Sequence, residues 1–214
     1  MMPKIAIVGG GPGIGLSVAR RFAERGFEPH LFTRRGPEME ADALRAEGHK
    51  AHAHRLDAGD MDAVADVLGA LAPVDVLVWN AVGVTPGSPL DLSPSALVAD
   101  FRIGVAGVVA AVRSLVPTMP AGGSVLLTGG GYALHPATGL ASLGVAKAGL
   151  RNLAMTLSES LAPRGIRAGT ITVMGIVAPG TAFDSAHVAD AFWAMHEDRE
   201  RALGFEIRFH GRAA

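Results

Sequence analysis

Short apolar runs alternate along the chain with longer segments in which apolar residues recur at helical spacing. Several of the short runs are apolar throughout, which is typical of strands buried on both faces of a parallel sheet. The pattern predicts strands at 4–8, 29–33, 50–56, 74–79, 124–128, 166–173 and 204–210. It predicts helices at 13–26, 38–48, 61–71, 93–116, 138–162 and 185–203.

This order of strand, helix and strand favours right-handed crossovers between parallel strands. It predicts an α/β fold of the Rossmann type: a doubly wound, mostly parallel seven-stranded sheet with helices on both faces. The strand at 50–56 is weakly apolar, so we place it near an edge of the sheet. No domain boundary is evident, and we interpret 1–214 as one domain whose short C-terminal part, about 174–214, is a substrate region.

The composition narrows the range of partners. The chain has 214 residues, a formal net charge of −1 and a mean hydropathy of +0.32, so nothing points to nucleic acid or an anionic membrane. It contains no cysteine, which excludes disulfides and thiolate metal ligands. The N-terminal residues lack the pattern of a signal peptide, and no uninterrupted apolar run reaches membrane-spanning length. We therefore expect a cytoplasmic protein.

A glycine-rich stretch, VGGGPGIGL, links the first strand to the first helix. Glycine permits a tight turn and a close approach of the backbone to a pyrophosphate, and the helix N-terminus offers free N–H groups. The alternative is a glycine-rich turn without a ligand, although one glycine suffices for a turn. The stretch predicts a dinucleotide site formed by Gly9, Gly11, Gly13, Ile14 and Gly15.

The end of the second strand indicates which dinucleotide is bound. An acidic residue at this point would accept hydrogen bonds from the 2′-hydroxyl of the adenosine ribose. This chain has Thr33, Arg34 and Arg35 instead, and two guanidinium groups suit a 2′-phosphate. The residues favour NADP(H) over NAD(H), and the alternative is a solvated pair of surface arginines.

These features together resemble the short-chain dehydrogenase/reductase family, from Ile5 to about Thr172. The glycine spacing matches, and WNAVG resembles the family's NNAG motif, with Asn80 and Ala81 at matching positions. The resemblance implies that Asp57, with Ala58 beside it, lies at the adenine. The run LAPRGIRAGTITV resembles the segment that leads into the family's sixth strand.

The catalytic positions depart from the family. Its motif is Tyr-x-x-x-Lys, and Lys147 matches the lysine, which implies contact with the nicotinamide ribose. Leu143 stands at the tyrosine, glycines fill 129–131 where the serine belongs, and Gly104 stands at the asparagine. Of the four expected groups only the lysine remains, so another residue must supply the proton or the reaction must differ.

One replacement is available. Tyr132 is the only tyrosine of the chain and directly follows the glycine run, so its hydroxyl is a candidate proton donor within reach of Lys147. The alternative for Tyr132 is a loop aromatic that covers the core or meets another subunit. Lys147, in turn, would bind a cofactor ribose whether or not the protein catalyses a reaction.

Three functions therefore stay open. The first is an atypical NADP(H)-dependent oxidoreductase that acts on a carbonyl or hydroxyl group of a small molecule. The second is an NADP(H)-binding protein without redox turnover, such as a sensor or a pseudoenzyme subunit. The third is a non-redox enzyme on the same scaffold. The small residues of the helix at 138–162 and the family resemblance imply a homodimer or homotetramer.

The histidines at 49, 52 and 54 invite comparison with a metal site. His52 and His54 share one face of a strand, and His49 does not. No carboxylate other than Asp57 is spaced along the chain to complete a site. We interpret these histidines as an exposed strand face and predict no metal site.

Overall fold

A computed structural model of the protein describes residues 2–198, 200 and 202–212. Its single seven-stranded sheet has the order β3-β2-β1-β4-β5-β6-β7, and every neighbouring pair is parallel. The strands are β1 (Lys4–Val8), β2 (Glu28–Thr33), β3 (His52–Arg55), β4 (Val76–Trp79), β5 (Ser124–Gly130), β6 (Arg167–Val173) and β7 (Glu206–Phe209). This confirms the Rossmann-type α/β fold and the edge position of β3.

Helices cover both faces of the sheet. One apolar core lies under α1, α2 and α7, and the other lies under α3, α5 and α6. The helices are α1 (Ile14–Ala23), α2 (Glu38–Ala46), α3 (Met61–Leu71), α4 (Pro94–Phe101), α5 (Gly107–Leu115), α6 (Ala141–Leu161) and α7 (Ser185–Glu197). The helix predicted at 185–203 ends at Glu197, and residues 199 and 201 of that prediction lie outside the described residues.

The region at 93–116 is largely helical, as predicted, but a π-helical segment, Arg102–Ala106, separates α4 from α5. Trp79 at the end of β4 is completely buried and donates from Nε1 to the carbonyl of Ile103, 3.1 Å away. A side chain at Gly107 would overlap the indole ring. The tryptophan therefore fixes this segment against the sheet, which hydrophobic periodicity does not reveal.

The stretch Pro94–Thr118 is long and apolar enough, by length and composition, to cross a membrane. In the structure it comprises α4, the π-helical segment, α5 and a closing turn. Val108, Ala111 and Leu115 are completely buried in the core, so packing against the sheet accounts for the hydropathy of this part of the stretch.

The last strand is held by an enclosed ion pair. Arg151 of α6 donates two hydrogen bonds, of 2.8 and 2.7 Å, to the carboxylate of Glu206. Thr172 of β6 donates to the same carboxylate at 2.7 Å. These contacts, with the Arg151 pair first, lower the pKa of Glu206 to about 2. Part of the predicted substrate region is thus an integral strand of the sheet.

Replacing Glu206 with Gln preserves its shape and removes the charge that Arg151 holds. We expect the free energy of unfolding at neutral pH to fall by about 1–3 kcal/mol. Because the folded-state pKa is lowered, this contribution is complete above the usual glutamate pKa of about 4.3 and is lost as the pH falls toward 2. Urea denaturation of both proteins at pH 7 and at pH 3 measures the difference.

Asp42→Asn is the control, since Asp42 pairs with Arg45 on the surface, where its side chain is 71% exposed. This variant should stay within about 0.5 kcal/mol of the wild type. A Glu206→Gln effect that is equally large at both pH values would show that the charge of Glu206 is not the source.

Candidate functional site

Three cavities adjoin along the carboxyl edge of the sheet, where open α/β sheets bind ligands. A cavity of about 310 Å³ lies over β1, β2 and β4. It shares Asn80 and Val82 with a second cavity of about 610 Å³. On its other side it shares Gly11, Thr33 and Arg34 with a third of about 570 Å³. The three form one continuous crevice.

The glycine loop is fitted closely into this crevice. Gly9 has a φ of +88°, and a Cβ there would lie 2.6 Å from the backbone nitrogen of Ala81. The amide of Asn80 donates to the carbonyl of Gly9 at 2.9 Å, and a Cβ at Gly15 would overlap that same carbonyl. Gly13 precedes α1 and provides no side-chain cap, so the helix N-terminus faces the crevice without a protein anion.

The structure brings together most of the residues predicted to bind a cofactor. Ile14, Tyr132 and Lys147 line the 610 Å³ cavity, and Arg35 lines the 570 Å³ cavity. Gly13 and Gly15 shape the loop without belonging to the lining of these cavities. The 310 Å³ cavity is lined by Gly9, Gly11, Thr33, Arg34, Asp57, Ala58, Asn80 and Ala81.

The arginine end of the crevice has mixed charge. Arg34 and Arg35 are exposed, and neither forms an ion pair within the part of the chain that the structure describes. Glu38 and Glu40, in the first turn of α2, line the same 570 Å³ cavity. The sequence analysis considered only the arginines, although the two glutamates follow within five residues.

Lys147 reaches the 610 Å³ cavity from α6. Its ammonium donates to the carbonyl of Thr128 at 2.6 Å. Among the described residues it forms no ion pair. The side chain is half-buried, and desolvation of its ammonium lowers the pKa of Lys147 to about 8.

The cavity wall beside Lys147 carries no acid or hydroxyl at Gly130 or Leu143, where the family resemblance implies a serine and a tyrosine. A Cβ at Gly130 would lie 3.7 Å from the stem of Lys147, an ordinary contact distance, so a small side chain would fit there. Leu143, one helical turn before Lys147, lines the same cavity. This wall is therefore apolar where the family resemblance implied a serine and a tyrosine.

Two hydroxyl-bearing residues, Tyr132 and Thr128, line the cavity at other positions. Tyr132, in the short turn Gly131–Ala133, is 36% exposed, and the exposed His135 lies nearby in the lining. Thr128 was not among the predicted site residues, because it ends the buried strand predicted at 124–128. Its Oγ1 is buried without a hydrogen-bond partner among the described residues. Alternation along β5 places residues 128 and 130 on one side, which was the available signal.

Comparison with known proteins identifies the family. Residues 3–189 match the family model described as short chain dehydrogenase. The chain belongs to the short-chain dehydrogenase family. This membership is consistent with the parallel sheet, the glycine loop and the position of Lys147 on the helix after β5.

Individual relatives are moderately similar to this chain. An uncharacterized oxidoreductase of Mycobacterium tuberculosis is 31% identical over 193 residues, which cover 86% of this chain and 71% of the relative. A cyclic-di-GMP-binding biofilm dispersal mediator protein of Escherichia coli is 32% identical over 188 residues, 87% and 76% of the two chains. A crystal structure of BdcA in complex with NADPH superposes with a TM-score of 0.81 and 25% identity, over 99% and 95%.

The lowered pKa of Lys147 can be measured directly, because the chain has only three lysines. After reductive methylation with ¹³C-formaldehyde, we expect one dimethyl-lysine resonance to titrate near pH 8. The usual lysine pKa is about 10.4, and burial disfavours the charged form.

Lys147→Arg should remove the resonance that titrates near pH 8, and Lys50→Arg should leave it in place. If the resonance lost in Lys147→Arg titrates in the usual lysine range, the ammonium is hydrated and the described burial is wrong.

Proposed function

We propose that the protein is an NADP(H)-dependent oxidoreductase that acts on a carbonyl or hydroxyl group of a small molecule. The observation that carries the proposal is the continuous crevice, which runs from Arg34 and Arg35 past the glycine loop to Lys147 and Tyr132. Family membership supports an oxidoreductase, and NADPH bound to a structural neighbour supports the phosphorylated cofactor.

The crevice fits a dinucleotide. Gly9 and Gly15 let the loop pack closely against neighbouring backbone, and a Cβ at Gly13 would meet no described atom within 4 Å. Backbone N–H groups at the start of α1 can therefore approach a pyrophosphate. Asp57 and Ala58 belong to the adenine end, and Asn80 and Lys147 belong to the nicotinamide end. When bound, the cofactor supplies or accepts a hydride at the substrate carbon.

The proposed role of the residues around the reacting oxygen is to donate a proton to it and to stabilise the charge left behind. Carbonyl reduction leaves an alkoxide that needs a proton and a hydrogen bond as it forms. Tyr132 is the proposed donor, because this residue lines the same cavity as Lys147 and carries an ionisable hydroxyl. The ammonium of Lys147 would favour the phenolate that remains, and the apolar Leu143 would keep water from that side of the cavity.

A second function is favoured by the apolar wall at Gly130 and Leu143: binding of NADP(H) without turnover, in a sensor or a pseudoenzyme subunit. A relative described as binding cyclic di-GMP illustrates a binding role within the family. In this alternative Lys147 serves cofactor affinity alone, and Tyr132 serves packing. A non-redox enzyme on the same scaffold is the third possibility.

We also propose a homodimer or homotetramer in the cytoplasm, in line with the family resemblance. The small residues of α6 support an oligomer less directly than expected, because some of them contact other elements of the same chain. A Cβ at Gly149 would lie 2.9 Å from the ring of Phe101, and one at Gly104 would lie 3.4 Å from Ala146. Val145 and Met155, which are 48% and 38% exposed, are the apolar α6 residues available to a partner.

Arg34→Ala/Arg35→Ala tests the cofactor. We expect the double variant to lose NADPH affinity by about tenfold or more, since two charge-assisted contacts to the 2′-phosphate disappear. NADH affinity should stay the same. Titration of protein fluorescence with both nucleotides measures the two dissociation constants. Arg113→Ala is the matched control, because Arg113 is an exposed arginine of α5 that lines none of the three cavities. Equal losses for NADPH and NADH would contradict recognition of the 2′-phosphate.

Tyr132→Phe tests the proton donor. In a screen of small carbonyl compounds with NADPH, we expect the kcat of the variant to be lower than that of the wild type by a factor of about 10²–10⁴. The affinity for NADPH should be unchanged. Thr128→Val is the matched control, because Thr128 is the other hydroxyl-bearing residue in the lining of this cavity. Gly130→Ser/Leu143→Tyr places the family's groups beside Lys147 and should restore turnover to Tyr132→Phe. The alternative function, NADP(H) binding without turnover, would be favoured by one result. In that result the wild type binds NADPH but reduces no compound in the screen, whereas Gly130→Ser/Leu143→Tyr does.

A further inference from the structure

A second group of titratable side chains extends along β2 and β3, from Glu28 at the start of β2 to His54 near the end of β3. Glu28 and His30 alternate on β2, and His52 and His54 alternate on β3, so all four lie on one face of the sheet. The register pairs His30 with His52. We call these four residues the β2–β3 histidine cluster.

The cluster is compact and mostly enclosed. Nε2 of His52 lies 2.6 Å from Oε1 of Glu28, and Nε2 of His30 lies 3.8 Å from the same oxygen. One ligand atom from each of these three residues lies within 4.8 Å of the other two. The side chains of Glu28 and His30 are only 11% and 8% exposed, whereas that of His52 is 38% exposed.

One nitrogen of the cluster lacks a hydrogen-bond partner. Nδ1 of His30 lies 3.0 Å from Nε2 of His54, so that side of the ring is satisfied. Nε2 of His30 is buried and has no hydrogen-bond partner among the described residues. If His30 donates from Nδ1, its Nε2 presents a bare lone pair beside a carboxylate. A metal-ligating histidine usually has this arrangement, with its second nitrogen held by an outer partner.

We propose that Glu28, His30 and His52 bind a divalent transition-metal ion, zinc by donor type, with His54 orienting His30. Two imidazole nitrogens and one carboxylate oxygen form a common zinc set, with water in the fourth position. Zinc bonds of about 2.1 Å meeting at the tetrahedral angle place ligand atoms about 3.4 Å apart. The present distances of 2.6 and 3.8 Å lie on either side of that value.

Binding requires two small adjustments. The rings of His30 and His52 are stacked 4.5 Å apart and nearly parallel, so the half-exposed His52 must rotate to aim its nitrogen at a shared ion. The ammonium of Lys50, 2.8 Å from Oε1 of Glu28, must withdraw, and its 62% exposure allows this. The bound ion would then link the edge strand β3 to β2.

The test uses untagged protein freed of metal with a chelator and titrated with zinc chloride by calorimetry. We expect about one ion per chain, with affinity lowered at least about tenfold in His52→Ala and Glu28→Gln. Lys50→Gln should bind more tightly than wild type, because it removes the competing ammonium. At zinc a hundredfold above the dissociation constant, the melting temperature should rise by about 5–10 °C.

His49→Ala is the matched control, since His49 lies just before β3 and outside the cluster. It should bind zinc like the wild type. Cobalt(II) should give the visible absorption of a tetrahedral site in wild type and not in His52→Ala. Absence of saturable binding, undiminished binding in His52→Ala, or an equal loss in His49→Ala would overturn the proposal. NADPH titration of the same variants keeps this outcome separate from that of the proposed function.

Discussion

The close approach of the glycine loop to the end of β4 determines the rest of the site. Gly9 lies against Asn80 and Ala81, where a Cβ would overlap backbone, and the Asn80 amide fastens the loop at 2.9 Å. β1 and β4 are neighbours at the point where the strand order reverses, so their ends diverge into a crevice. The 310 Å³ cavity and the 610 Å³ cavity that Lys147 lines meet at this contact, since both include Asn80.

Partial burial sets the pKa of Lys147. Its ammonium donates to the carbonyl of Thr128, and Gly129, Gly130 and Leu143 line the cavity with it. A low-dielectric surrounding lowers the pKa of an amine and strengthens its effect on a nearby charge. A half-buried lysine suits both a site that transfers a proton and a site that only binds the cofactor ribose. Tyr132 is therefore the residue whose substitution distinguishes the oxidoreductase from the binding protein.

The edge of the sheet shows a second use of polar residues. Edge strands carry unpaired backbone groups and are commonly protected by charged side chains. Here Glu28, His30, His52 and His54 lie close together on the edge strand β3 and its neighbour β2, with Glu28 and His30 buried and His52 partly exposed. His54 also stacks on Phe32, which lines the 310 Å³ cavity, so the cluster adjoins the crevice.

Hydrophobic periodicity and glycine placement were enough to predict the parallel sheet, its seven strands and the glycine loop, because these signals are local and burial on both faces reinforces them. The ends of parallel strands share one edge of the sheet, so Arg34 and Arg35 at the end of β2 were expected in the crevice, whereas the family resemblance implied the position of Lys147. The folded chain alone reveals the π-helical break beside Trp79, the buried Thr128 hydroxyl that has no partner among the described residues, and the meeting of Glu28 with His30 and His52. Each depends on contact between segments distant in the chain, and spacing along a sequence does not encode such contacts.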